Sequence, residues 1–204
     1  MDWLANLDAR IWQAVIAGLF LGAGWFVNGL LNRRAAEALR QEKLRDMHRA
    51  LYSEIGNNLA NLWDDARIES YAEGMLERMR EDEDFVPFIP REHNDTVFDT
   101  LLPDIYVLPR QTIDPIVAYY SQLKSLAALV DDMRGVSFKA MSQPRRIAMY
   151  SDYIEMKKQA LSFGRYANAV IDAFGKGGRE AAEAVKLEFN TPAEGPSDQL
   201  RGSE

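Results

Sequence analysis

"RIWQAVIAGLFLGAGWFVNGLLNRR", residues 10–34, decides how the rest of the chain is read. Twenty-two uncharged, mostly apolar residues lie between Arg10 and Arg33. From Ile11 to Leu31 an α-helix would be about 31 Å long, close to the roughly 30 Å hydrocarbon thickness of a bilayer. A core helix of a soluble domain shows a polar face, but the polar side chains between Ile11 and Leu31 are only Gln13 and Asn28, one near each end. A cleavable signal peptide needs its positive charges before the apolar run, and Arg10 is the only basic side chain there. The segment is therefore read as a retained transmembrane helix over 11–31.

Orientation follows from Arg33, Arg34, Arg40, Lys43, Arg45 and Arg49, which come directly after the span. Lysine and arginine in short flanks stay on the cytoplasmic side. The expected topology puts residues 1–10 outside, 32–189 in the cytoplasm as an α-helical domain, and the protein in a bacterial inner membrane. Trp3 and Trp12 suit the outer interface. Arg33, Arg34, Arg40 and Lys43 are also placed to touch anionic lipid heads. Within the span, Ala14, Gly18 and Gly22 recur at four-residue spacing, a small-residue stripe that lets two membrane helices approach closely.

After the span, residues 35–81 are rich in helix formers and contain no proline. They read as one long juxtamembrane helix, or two in line with a break near Asp64 to Arg67. Leu44, Met47, Leu51, Ile55, Leu59 and Leu62 share one arc; Asn58 falls inside it and Glu54 borders it, a candidate buried polar contact. Pro87, Pro90, Pro103 and Pro109 then forbid a long helix, although the segment is apolar enough to need a surface to cover. A short helix is expected near Asp95 to Leu102, capped by Asp95.

Thr112 is placed to cap a helix over 113–134 that ends before Gly135, with Ile116, Tyr120, Leu123, Ala127 and Val130 on one face. Another helix should run over 143–174. Its main stripe is Met149, Tyr153, Met156, Ala160, Phe163, Ala167, Val170 and Phe174, and Ile147, Ile154 and Leu161 form a thinner one opposite. A helix apolar on two sides is either central in its domain or half inside a partner, so the thinner stripe is the candidate partner interface. A weak helix is expected from Gly177 to Phe189, and 190–204, which lacks compensating apolar residues, reads as disordered. The fold class is all-α: one transmembrane helix, a long juxtamembrane helix and an antiparallel cytoplasmic bundle.

The chemistry is sparse. Cysteine is absent, which removes disulfides and thiolate sites, and the net charge of −7 disfavours a nucleic-acid partner. His48 and His93 lack zinc spacing, the acidic run Glu81 to Asp84 lacks the calcium-loop pattern, and "GKGGRE" at 175–180 lacks the phosphate-loop spacing. No nucleophile elbow supports a catalytic triad. The sequence is read as a non-enzyme without metal or cofactor. Its expected partners are the lipid bilayer and a protein or a second copy, and its expected role is membrane-anchored interaction or scaffolding. The rival roles are a small-ligand sensory bundle, with a pocket at Tyr119, Tyr120 and Asn58, and a membrane-perturbing lysis factor.

"ALYSEIGNNLANL", "FVPFIP", "TVFDTLLPDIYVLP" and "IDPIVAYYSQLKSLAAL", in that order behind an N-terminal span, resemble a group of uncharacterised bacterial single-pass membrane proteins. The resemblance covers somewhat over a third of the chain and implies a membrane-anchored helical domain. It also implies a contact between the Glu54 to Asn58 turn and the segment near Phe98 and Tyr120. It brings no activity.

Overall fold

The computed structural model describes residues 9–61, 65–92 and 94–190, with side chains described from 12 to 189 within those bounds. The helices are α1 (Ala9–Asn61), α2 (Asp65–Glu81), α3 (Thr96–Leu101), α4 (Arg110–Arg134), α5 (Val136–Lys139) and α6 (Gln143–Asn190); a 3-10 turn, Leu102–Val107, follows α3. The architecture is all-α, as the periodicity requires. Of the expected disordered tail, 190–204, Asn190 is the last residue of α6 and the remainder lies outside the described residues, as do the expected positions of Trp3, Leu62 and His93.

The chain divides into two units, Met1–Arg45 and Asp46–Glu204. The first consists, where described, of the N-terminal part of α1. An 18-residue window of mean hydropathy 1.8 makes it long and apolar enough to cross a membrane. Its large side chains stand uncovered: Phe20 is 75% exposed, Leu21 76% and Trp25 81%.

The second unit is organised around α6. Contacts along α1 pair His48 with Phe174, Gly56 with Asn168 and Leu59 with Gly164, so α1 runs antiparallel to α6. The series continues along α2, where Asp65 bridges Arg165, Glu69 bridges Lys158 and the Met79 carbonyl accepts from Gln143. α2 thus prolongs the course of α1 beside the same helix, the arrangement of two helices in line expected from the sequence. α4 is also antiparallel to α6, with Tyr119 against Gly164 and Gln122 bonded to the Met156 carbonyl.

α6 serves these neighbours with an inner stripe at alternating four- and three-residue steps: Arg146, Tyr150, Tyr153, Lys157, Ala160, Gly164, Ala167 and Ile171. Of the expected stripe Tyr153, Ala160, Ala167 and Val170 are buried, whereas Met149, Met156, Phe163 and Phe174 are only half-buried, with Tyr150, Gly164 and Ile171 buried beside them. The reason is steric. A Cβ at Gly164 would lie 2.8 Å from Leu59 Cδ2 and 2.9 Å from Tyr119 Cε2, so the crossing of α1, α4 and α6 demands the smallest side chains. The thinner stripe is a second inner seam: Ile154 and Leu161 are buried and Ile147 packs against the same cluster, which includes Ile68, Ala72 and Met79 of α2. Ile154 and Leu161 thus face the domain's own core, not solvent, and Ile147 is half-buried at its edge.

Helix ends are fastened by side chains the sequence did not single out. Arg146, itself buried, donates to the carbonyls of Glu83, Lys139 and Met141, where the chain leaves α2 and α5. A guanidinium there faces the negative ends of two helix dipoles and needs no carboxylate. Gln143 donates to the Met79 and Arg80 carbonyls at 2.8 and 3.1 Å. One expected cap is corrected: α4 begins at Arg110 after Pro109, so Thr112 lies inside its first turn. Asp95 takes the N-cap position of α3 as expected, but without a side-chain cap bond. Nor does Gly175 stop α6. The break is at Gly178, whose φ of 66° and ψ of −148° suit glycine alone, and the last arm folds back so that Phe189 stacks on Tyr166 at 4.0 Å.

Gly164→Ala should cost about 1–3 kcal/mol by overpacking, whereas Gly175→Ala, with nothing within 4 Å of its Cβ, should be neutral or slightly stabilising. Thermal melts followed by circular dichroism distinguish them; equal midpoints would refute the crossing argument.

Candidate functional site

The polar pair read from the sequence is where the proline-rich connection is fastened. Glu54 Oε1 accepts the Val97 N–H at 2.6 Å, and its Oε2 accepts the Phe98 N–H at 3.0 Å and the Tyr120 hydroxyl at 2.6 Å. Its carboxylate therefore serves the first amides of α3 from 43 residues away in sequence, which is why Asp95 is not needed as a cap. Asn58 donates to the Asn94 carbonyl at 2.7 Å, and Phe98 stacks on Tyr120 at 3.9 Å. The expected contact between the Glu54 to Asn58 turn and Phe98 and Tyr120 is thus present. Burial and the hydrogen bond to Glu54 push the Tyr120 pKa far up, keeping it a donor at every ordinary pH. Burial pushes Tyr119 up to about 12. Both rings are fully buried, so the pocket expected at Tyr119, Tyr120 and Asn58 is filled.

A two-lobed cleft lies one layer away, beside residues 88–92, 94 and 95. One lobe, of about 230 Å³, has Leu123, Leu126, Ala127 and Val130 of α4 on its floor and Arg91, Asn94 and Asp95 on its rim. A second, of about 260 Å³, is walled by Ile68 and Tyr71 of α2, Tyr150 and Ile154 of α6, and Phe88. Pro90, Glu92, Tyr153 and Lys157 line both. The lobes therefore meet at an ion pair, Lys157 Nζ to Glu92 Oε1 at 3.2 Å, whose second carboxylate oxygen accepts from Asn94 at 3.2 Å. Lys157 is only 17% exposed at its side chain, and its ammonium lies 5.4 Å from the centre of the Tyr153 ring. Burial works against its charge, but Tyr153 and Glu92 outweigh it and the net pKa shift is upward. The ammonium form is therefore favoured.

Sequence reasoning missed Lys157. The available signal was its place in the four-three register between Tyr153 and Ala160, where a lysine is unexpected. His48 is buried, with Nε2 2.9 Å from Thr112 Oγ1 and its ring edge-on to Phe174. Burial lowers its pKa to about 4. His48 therefore sits in the core, away from the cleft. Ala14, Gly18 and Gly22 lie exposed on α1, as do Arg33, Arg34, Arg40 and Lys43. Among the described residues no cluster of three histidine or acidic side chains is arranged to hold a metal ion.

No protein-family model, no curated protein and no solved structure matches the chain.

Glu54→Ala leaves two amides and a phenol without their acceptor and should destabilise the domain by about 3 kcal/mol. Hydrogen exchange at the Val97 and Phe98 amides should accelerate with it; unchanged exchange there would refute the clamp. For His48, the folded pKa of about 4 lies below the ordinary 6.5. Between those values the unfolded chain takes a proton that the folded domain refuses, so stability present above pH 6.5 is lost as pH falls towards 4. The loss is on the order of 3 kcal/mol. His48→Gln keeps a partner for Thr112 and should flatten that slope in denaturant titrations; identical slopes would refute the assignment.

Proposed function

We propose that the chain is a single-span membrane protein that holds its helical domain at the cytoplasmic face as a tethered recognition module. The observation that carries this reading is the uncovered apolar surface of α1. Large contiguous exposed apolar patches are rare on soluble monomers, and Phe20, Leu21, Trp25 and Phe26 all stand more than half exposed on neighbouring turns of one helix. A bilayer removes that surface from water without a second protein element. Arg33, Arg34, Arg40 and Lys43 supply the inside-positive flank, and the resemblance to bacterial single-pass proteins points the same way.

The cleft at Glu92 and Lys157 favours recognition of a small molecule over scaffolding alone. It is a concavity with an apolar lining and a few convergent polar groups, the usual form of a ligand site. The protein-partner reading retains the small-residue stripe Ala14, Gly18 and Gly22, through which two copies would meet in the membrane.

The full-length protein should resist alkaline carbonate extraction. A fluorescent reporter that matures only in the cytoplasm should be bright when fused after Glu204. Deleting 12–31 should release a folded soluble domain. Recovery of a mature chain cleaved after the apolar run, or a reporter active only outside the cytoplasm, would overturn the reading.

A further inference from the structure

Lys157 occupies a core-facing position of α6, between Tyr153 and Ala160 in the inner stripe. An aliphatic side chain would fill that place without the desolvation that a largely buried ammonium incurs. Its counter-ion comes not from a packed helix but from the proline-rich connection. Only one oxygen of Glu92 approaches it, at 3.2 Å, beyond the roughly 2.7–2.9 Å usual for a charge-assisted bond. The pair is loosely made, and open space flanks it on both sides. Lobes of about 230 and 260 Å³ fall below the roughly 300–1,000 Å³ of sites for drug-sized molecules, so the occupant is small.

The two charges also restrict the occupant's electrostatics. A cation that took Glu92 would strand the lysine, the more buried partner at 17% side-chain exposure, which is the costly change; an anion that took Lys157 would leave Glu92, 38% exposed, unpaired at the cleft rim. A zwitterion relieves both charges at once. We propose that the cleft binds a free apolar α-amino acid, its carboxylate on Lys157, its ammonium on Glu92 and its side chain in the lobe walled by Tyr71, Tyr150, Ile154 and Phe88. That lobe is the aromatic one, which gives phenylalanine an advantage over leucine through ring-edge and offset contacts. Phe88 stands at its rim, 80% exposed, with the Arg134 guanidinium 5.7 Å from its ring centre. A large apolar side chain left this open over a cleft is the part of the wall a bound ligand would cover.

The identification rests on the recognition-module reading, but its test does not depend on topology. Full-length protein in detergent micelles is titrated calorimetrically with L-phenylalanine and L-leucine. The same protein is titrated with 3-phenylpropionate, 2-phenylethylamine and N-acetylphenylalanine, each lacking one charge. Saturable binding is expected for the amino acids, phenylalanine the tighter, with each analogue weaker by about tenfold or more. Glu92→Gln and Lys157→Met should each weaken phenylalanine by a similar factor. Phe88→Ala, a rim substitution that leaves the core intact, should reduce the preference for phenylalanine over leucine. Circular dichroism melts on the same samples verify folding. No saturable heat from any amino acid up to about 10 mM, or analogues binding as well as phenylalanine, would overturn the proposal. A failed titration beside an intact membrane topology removes the ligand and leaves the tethered module standing; the opposite pair of results does the reverse.

Discussion

α6 must bury two faces at once, and the domain is arranged around that requirement. α1 and α4 close on it where Ala160, Gly164 and Ala167 let their side chains approach its backbone. α2 covers the seam of Ile154 and Leu161, where the chain has moved along the helix to bulkier neighbours. Small residues at the crossing and larger ones beyond it are two solutions to one packing problem, because interior space is filled to crystal-like density. The stripe's chemistry changes accordingly along its length, from glycine and alanine at the crossing to Tyr150 and Tyr153 beneath the proline-rich connection.

That connection has few backbone partners of its own, and its polar groups are taken up by side chains reaching from the helices. Glu54 holds the first amides of α3, Asn58 the Asn94 carbonyl, Arg134 the Ile89 carbonyl and Arg146 the Glu83 carbonyl. Each is a charged or amide group set against backbone, a stronger arrangement than exposed ion pairs such as Arg91 with Asp131. The consequence is local. Both ends of the connection are fixed while the stretch around Pro90 to Glu92 arches over open volume.

What the sequence disclosed follows the range of the forces involved. The apolar helix, the boundary of α4 at Gly135 and the helical character of α6 depend on composition and period within a single segment, and they are legible there. The pairing of Glu54 and Asn58 with Phe98 and Tyr120 could be named because two polar residues interrupt an apolar arc, but its role as a remote cap for α3 could not. A carboxylate 43 positions away leaves no trace in the local pattern. The stripe of α6 was right at Tyr153, Ala160, Ala167 and Val170 and off by one position elsewhere, because hydrophobicity ranks Met149, Met156 and Phe163 above Tyr150, Lys157 and Gly164. Packing at a helix crossing ranks by size instead. Among the glycines at 175, 177 and 178 any one is a plausible stop, and only the backbone angles single out Gly178.

The misplaced register is also why the cleft was invisible. A lysine counts as polar in any periodic reading, so Lys157 falls on the solvent side of the ledger although its stem lies within the inner stripe. The four-carbon stem packs like an aliphatic residue while the ammonium sits at the cleft floor. Glu92 meets it from a segment whose conformation is set by prolines and by the clamps at its ends. Neither half of the pair carries information about the other in sequence, yet together they define the polarity of the only space shared by both lobes. Replacing Lys157 by an apolar residue would give the core a more economical helix and strand Glu92 at 38% exposure, partly hydrated and tolerable. Replacing Glu92 would strand the more buried lysine, at 17%, and the connection would lose an ion pair to α6. The asymmetry makes the ammonium the fixed element of the pair and the carboxylate the adjustable one.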